Sequence, residues 1–436
     1  MRQRAAIISS CRGTAILEQI MRIAVYSGTL LFAAAVLFSP AVLAKTPVQS
    51  CDLMAANPRN PTRVSGAPGV EYGKIDIAAA ITVCEAAIAA FPLEPRFQGM
   101  LSALYYLKGD YQAALVMSRA PAEAGDLIAM DVLASLYLFD RVPGSKPEDA
   151  RRWFSKAAGG GFPESDWGLG YMAEYGIGEP KNVESARNHY RKAGEGGFNE
   201  AMMALADNLY LDSANSQAQI EAGTWYKRAA DRGHLPAIKA LASLYFVGRG
   251  VAQNDAESVH YYRLAAEAGD ADSMSELAWM YSFGRGVPKD FAQSFAWNTR
   301  SAAAGSQVGM SNLGWAYYRA QGVAEDKKAA RSWFEKAAAT GNGFGLYSLA
   351  YVQEEGAGGP VDHKSAAENM LKALAARDAY ANEILNSKFK DWSAPFIAEV
   401  QETLRREGQY RATTTGKVDD ATLSAVAAFI KAKAAP

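Results

Sequence analysis

The sequence is poor in the residue types that most often bind metals or act as nucleophiles. Three Cys and four His occur in 436 residues, too few for a dense disulfide framework and a poor basis for a Cys/His zinc cage. Neither charge is in excess: 45 Lys and Arg stand against 46 Asp and Glu, a formal net charge of −1. A nucleic-acid partner normally demands a clustered basic surplus, so none is expected. Hydrophobic residues make up 49% and charged residues 21% of the chain, which is incompatible with wholesale disorder. After the first 44 residues no stretch approaches the ~20 apolar residues that a membrane helix needs. No membrane span is therefore expected once that leader is removed.

The leader has its own pattern. Arg22 opens a short basic region, Leu30 to Phe38 is an unbroken apolar run of nine, Pro40 breaks it, and Val42-Leu43-Ala44 supplies small residues for cleavage. This three-part order is that of a secretory signal peptide, with Met21 as a fitting start. A retained anchor and a lipoprotein are the competing readings; Val48-Gln49-Ser50 before Cys51 is a poor lipobox. Residues 1–44 carry four Arg and one Glu, so cleavage near Ala44 leaves 41 basic against 45 acidic residues, a net charge of −4. The expected location is the periplasm or outside the cell. Cys11 leaves with the leader, and Cys51 and Cys84 remain. Two Cys in an oxidising compartment suggest one disulfide, closing a loop of about 34 residues for roughly 3–4 kcal/mol. Two separate thiols are the alternative.

An internal repeat governs the middle of the chain. A Leu recurs at Leu133, Leu169, Leu205, Leu241, Leu277, Leu313 and Leu349, every step being 36 residues. The next residue is always small, from Ala134 and Gly170 to Gly314 and Ala350. A second row keeps the same step at Trp153, His189, Trp225, Tyr261, Trp297 and Trp333, and four residues later comes Ala157, Ala193, Ala229, Ala265, Ser301, Ala337 and Ala373. Gly125, Gly161, Gly197, Gly233, Gly269, Gly305 and Gly341 separate the units. Leu277, Met280 and Tyr281 fall on one helical face, and Trp333, Phe334 and Ala337 on another. Between two such halves stands Gly284-Arg285-Gly286-Val287-Pro288, which no helix tolerates well. Each unit is thus two antiparallel helices. The small residues allow close approach, and the terminal Gly suits a left-handed cap. One hairpin cannot bury its apolar face; stacked hairpins can.

These residues resemble the Sel-one-like repeat family, a relative of the tetratricopeptide repeat. Leu313-Gly314, Tyr317, Gly322-Val323, Asp326, Ala330, Trp333-Phe334, Ala337-Ala338 and Gly341 carry the resemblance most fully. It covers residues 127–378 as seven units; the turns at Asp140 to Pro147 and Asp212 to Gln217 depart from the pattern. Residues 95–126 look like an earlier, degenerate tetratricopeptide-like hairpin. The resemblance implies an all-α, right-handed superhelix used for binding and assembly, often in exported bacterial proteins, without chemistry of its own. Residues 45–94 form an N-terminal segment and 379–436 a C-terminal helical module. In that module Val400-Gln401, Leu404, Gly408, Tyr410, Gly416, Thr422, Ala425-Val426 and Phe429 resemble a small peptidoglycan-binding module, although its Asp-Gly turn is missing. A cap over the apolar end of the solenoid is the equal reading. There, Phe396 to Arg405 reads as an amphipathic helix and Asp420 as the cap of a last helix.

No catalytic constellation can be assembled, and no cofactor, metal or enzymatic activity is expected. His189, His234, His260 and His363 lie on different helices, with His189 read as a packed core residue. Glu354-Glu355 reads as a solvated acidic loop. The candidate site is a surface. In hairpins of this type the first helices line the concave side. They carry Trp167, Tyr171, Tyr175, Tyr210, Phe246, Trp279, Phe283, Trp315, Tyr318, Tyr347 and Tyr351. Such rings give large contact area at low entropy cost, for an extended peptide or a sugar chain. They also suit simple space-filling between hairpins. Arg249 and Arg285, on equivalent turns, are placed either to meet an acidic partner or to stand in solvent. The function expected is an exported protein-interaction scaffold binding a protein or peptide, with peptidoglycan as the alternative partner.

Overall fold

The computed structural model describes residues 47–61, 75–376, 382–383 and 391–433. The signal segment 1–44 and the Gly66–Gly69 turn lie outside the described residues. Every regular element within them is an α-helix. α1 (Pro47–Ala55) and α2 (Ile77–Ala90) are tied by a Cys51–Cys84 disulfide whose two residues are fully buried, so the reading as two separate thiols is set aside. α3 (Pro95–Lys108) and α4 (Tyr111–Glu123) pack as a hairpin.

Seven more pairs follow. They are α5 (Leu127–Leu138) with α6 (Pro147–Gly159), α7 (Pro163–Tyr175) with α8 (Val183–Glu195), α9 (Asn199–Tyr210) with α10 (Ser216–Asp231), and α11 (Leu235–Val247) with α12 (Asp255–Glu267). Then come α13 (Ala271–Phe283) with α14 (Phe291–Ala303), α15 (Gln307–Tyr318) with α16 (Lys327–Ala339), and α17 (Gly343–Glu355) with α18 (His363–Ala375). Each helix packs on the one before and the one after it, which makes the stack a solenoid,. At several joints the first helices of neighbouring units also touch directly, as α13 does α15 and α15 does α17. Second helices meet mainly through the first helix between them.

The local sequence explains the helix ends. Asp126, Asn182, Asp290 and Asp326 each accept a hydrogen bond from the third amide of the helix they precede,. The seven unit-closing glycines, Gly125 to Gly341, all have φ between 79° and 100°, the left-handed cap that the spacing predicts. Six of the seven first helices end on a second left-handed residue, the third repeat being the exception, and at two units it is not glycine: Asp140 has φ 51° and Ala320 has φ 54°. A Cβ is disfavoured there. Ala320→Gly is expected to stabilise the chain by up to about 1 kcal/mol, read as a raised melting temperature; a lowered one would contradict the strain argument. The turn at Asp212 to Gln217 does depart from its equivalents, since Asn215 caps α10 early and α10 runs 16 residues against 13 for α8.

Packing follows the rows. All seven repeat Leu are at most 7% exposed, and the Ala/Ser row from Ala157 to Ala373 is fully buried. A Cβ on Gly170 would come within 2.6 Å of the Tyr190 ring, and one on Gly314 within 2.5 Å of the Phe334 ring. The small row is thus the socket for the aromatic residue that follows the Trp row. In five of the seven units a turn glycine (Gly178, Gly250, Gly286, Gly322 or Gly358) makes the joint to the preceding unit. A Cβ on Gly286 would fall on the Asp255 carbonyl, and one on Gly322 on the Phe291 carbonyl, each at the start of the preceding second helix.

Among the described residues, the C-terminal module carries α19 (Ala394–Arg406) and α20 (Asp420–Lys433). It shares one core with α18: Phe396, Val400, Leu404 and Val426 pack with Met370, Leu371 and Leu374. The cap of α20 is Asp419, not Asp420 as the sequence suggested; Asp419 Oδ1 accepts from the Thr422 amide at 2.7 Å and its hydroxyl at 2.6 Å. Fully buried Gln401 pins the intervening loop. It donates to Thr422 Oγ1 and the Lys417 carbonyl, and accepts from the Thr415 and Gly416 amides.

Candidate functional site

The first helices end in a row of exposed apolar side chains. In the 36-residue register stand Phe139, Tyr175, Leu211, Val247 and Phe283, from 37% to 77% exposed. Arg319 and Glu355 continue the row. Isolated exposed hydrophobics are unremarkable, whereas these five stand at equivalent places and form one periodic exposed row,. Tyr175 and Phe283 were legible as candidate rings in the sequence; Phe139, Leu211 and Val247 were not among the candidates. The signal was available as the residue six positions after each repeat Leu.

Three aromatic clusters flank this row. Trp167 and Tyr171 lie 5.6 Å apart between ring centres, Tyr171 and Tyr175 4.5 Å, and Phe139 comes within 5.9 Å of Tyr171. Trp167, Tyr171 and Tyr175, four residues apart on one helix, therefore form one stripe. Phe246, Trp279 and Phe283 form a second group, with centres 5.5 Å and 4.8 Å apart. Trp315 contacts Tyr318 and Tyr351 in the third, and Tyr351 reaches Trp392 ahead of α19. Trp315 Nε1 donates to Ser348 Oγ at 2.9 Å. Tyr318 hydroxyl donates to Glu355, so this glutamate is engaged rather than merely solvated. Burial, then that carboxylate, raise the Tyr318 hydroxyl far above its ordinary range. Tyr347 does not belong to the surface: it is 5% exposed and packs into the core that the C-terminal module closes.

The two turn arginines are held by their own chain. Arg249 donates to the Tyr210 carbonyl at 2.8 Å and covers the Tyr210 ring at 3.9 Å. Arg285 forms two bonds to Asp255, at 2.6 and 2.9 Å, and covers the Phe246 ring at 4.0 Å. They brace successive units and orient the rings. His189 is half-buried and bonded to Asp166 at 2.8 Å rather than packed among rings. The N-terminal segment also reaches the surface: Arg59 pairs with buried Glu164 at 2.6 Å and lies over Phe198, whose ring meets Trp167. Two carboxylates near the start of the stack are strongly perturbed. Burial pushes Asp126 and Asp131 up to about 7; Ser165 donates to Asp131 at 2.7 Å.

Comparison with known proteins agrees with this architecture. The family described as Sel1 repeat matches seven consecutive segments, residues 128–162, 163–198, 199–234, 235–270, 271–306, 307–342 and 344–378. Among solved structures, a protective antigen of uropathogenic Escherichia coli displaying an SLR fold is 26% identical, with a TM-score of 0.60 over 75% of this chain and 71% of that one. A Sel1 repeat protein from Oxalobacter formigenes is 28% identical, with a TM-score of 0.51 over 70% of this chain and 92% of that one. No curated protein matches the chain significantly.

Proposed function

The chain belongs to the Sel1 repeat family, and from that premise we propose that it is an exported scaffold that binds a protein partner along its first-helix face. Proteins of this family are in general interaction scaffolds rather than enzymes. The observation that carries the reading is the ladder of exposed apolar residues from Phe139 to Phe283, one at the same place in each of five successive units. Because first helices of successive units line this face, an extended partner lying on it would meet several units at once. Export is supported by the leader pattern and by the buried Cys51–Cys84 disulfide, a mark of an oxidising compartment,. No helix among the described residues is long and apolar enough to cross a membrane.

Tyr171→Ser combined with Tyr175→Ser is expected to abolish recovery of the partner that the native chain retains from envelope extract, with helical content and melting temperature kept. Undiminished recovery would refute the face assigned. For the C-terminal module the favoured role is a cap. The residues that resemble a wall-binding module, Val400, Gln401, Leu404, Tyr410, Thr422, Ala425, Val426 and Phe429, are buried, and so speak to packing. The full chain should stay in the supernatant when purified peptidoglycan is sedimented; co-sedimentation would favour the wall-binding alternative.

A further inference from the structure

The row that follows the Trp row reads Phe154, Tyr190, Tyr226, Tyr262, Asn298, Phe334 and Met370. Six of these side chains are bulky and fill the socket between helices. Asn298 does not fill it. The facing first helix is also reduced at this step. Ala316 is the smallest residue at this position, which holds Leu136, Met172, Asn208, Leu244, Met280 and Val352 in the other units. The two reductions meet at one place, and a cavity of about 470 Å3 opens between the fifth and sixth repeats. That volume falls within the ~300–1,000 Å3 typical of ligand pockets. Its walls include Trp279, Phe291 and Trp315.

Asn298 is 5% exposed, and its Oδ1 has no hydrogen-bond partner among the described residues. Buried amide oxygens are nearly always satisfied, and leaving one bare is costly. Packing does not require the amide, since rings occupy the equivalent places. At the mouth stand Arg319 and Lys289, both exposed. They lie over the Trp315 and Phe291 rings at 4.4 and 4.6 Å. Neither has an ion-pair partner among the described residues, whereas Arg151, Arg191 and Arg285 are each bonded to a carboxylate of this chain.

We infer that this cavity is a pocket for a peptide segment in which a bulky apolar side chain stands beside a carboxylate. The rings receive the side chain, Asn298 Oδ1 accepts a peptide N–H, and Arg319 with Lys289 meets the carboxylate. The inference rests on the scaffold reading and names what one step of the surface selects. The carboxylate can come from a free chain end or from an acidic side chain.

Three labelled hexapeptides test it by fluorescence anisotropy with the full chain. One ends in Leu-Phe with a free carboxylate, the second is its amide, and the third is an amide with Asp before Phe. The first or third is expected to bind at least about tenfold more tightly than the second, and which of them does identifies the carboxylate source. Arg319→Gln should weaken that binding about tenfold. Asn298→Tyr, which installs the residue of the second, third and fourth units, should abolish it while helical content holds and the melting temperature does not fall. No binding by any peptide, equal binding by all three, or unchanged binding by Asn298→Tyr would overturn the pocket. Asn298→Tyr leaves Tyr171 and Tyr175 untouched. Partner recovery that survives it but fails for the tyrosine variants would therefore sink the pocket alone and leave the scaffold reading standing.

Discussion

Leu277→Ala is expected to cost about 2–5 kcal/mol of stability. Leu277 is fully buried and packs with Met274, Met280, Val259 and Trp297 at the joint of the fourth and fifth repeats. Its truncation leaves a hole that neighbouring helices cannot close without breaking their own register. In a solenoid each unit is stabilised by its neighbours, so damage at a central unit weakens two interfaces. Urea unfolding followed by circular dichroism should show a lower midpoint or a separated early transition. Leu211→Ala is the control. Leu211 is 77% exposed, and its loss should stay within about 0.5 kcal/mol. A neutral Leu277→Ala would place the repeat Leu row on the surface and contradict the packing described.

Asp126→Asn is expected to stabilise the chain in a pH-dependent way. Asp126 is 8% exposed and caps α5 by accepting from the Ala129 amide at 2.8 Å. Burial raises its carboxyl from 3.8 to about 7, against the pull of that hydrogen bond. The folded chain therefore holds this proton more tightly than the unfolded chain. Its contribution to stability is complete below about pH 4 and is lost as pH rises toward about 7. Asn keeps the cap and carries no proton to lose. The variant should match the native chain near pH 4 and exceed it at pH 8, by at most about 4 kcal/mol for three pK units. Melting curves at the two pH values check this. An advantage that does not grow between them would contradict the burial argument.

The repeat was legible because each unit must bury one Leu and close with one left-handed residue, so position 36 residues on obeys the same constraint. The rows thus gave the helices, their caps and the sockets at Gly170 and Gly314. Contacts between units were less legible. Periodicity says which residues are equivalent, not which neighbour each one meets. Arg285 is 30 residues from Asp255, and only the packed turn shows that this ion pair braces the joint. Arg59 and Glu164 are 105 residues apart, beyond any periodic argument. Tyr347 looked like a surface ring because the row alone cannot reveal that the C-terminal helices cover it. Asn298 is different: it was visible as the one amide in a row of bulky residues, but its meaning depended on Ala316 facing it across the same space.

The central claim is that recognition belongs to the first-helix side. A photo-cross-linking amino acid placed at Tyr175 tests it most directly, against one placed at Thr224 on the exposed side of the second helix α10. With native envelope extract, a covalent adduct with one partner is expected from position 175 and none from position 224. Adducts from 224 alone, or from both positions equally, would contradict the account.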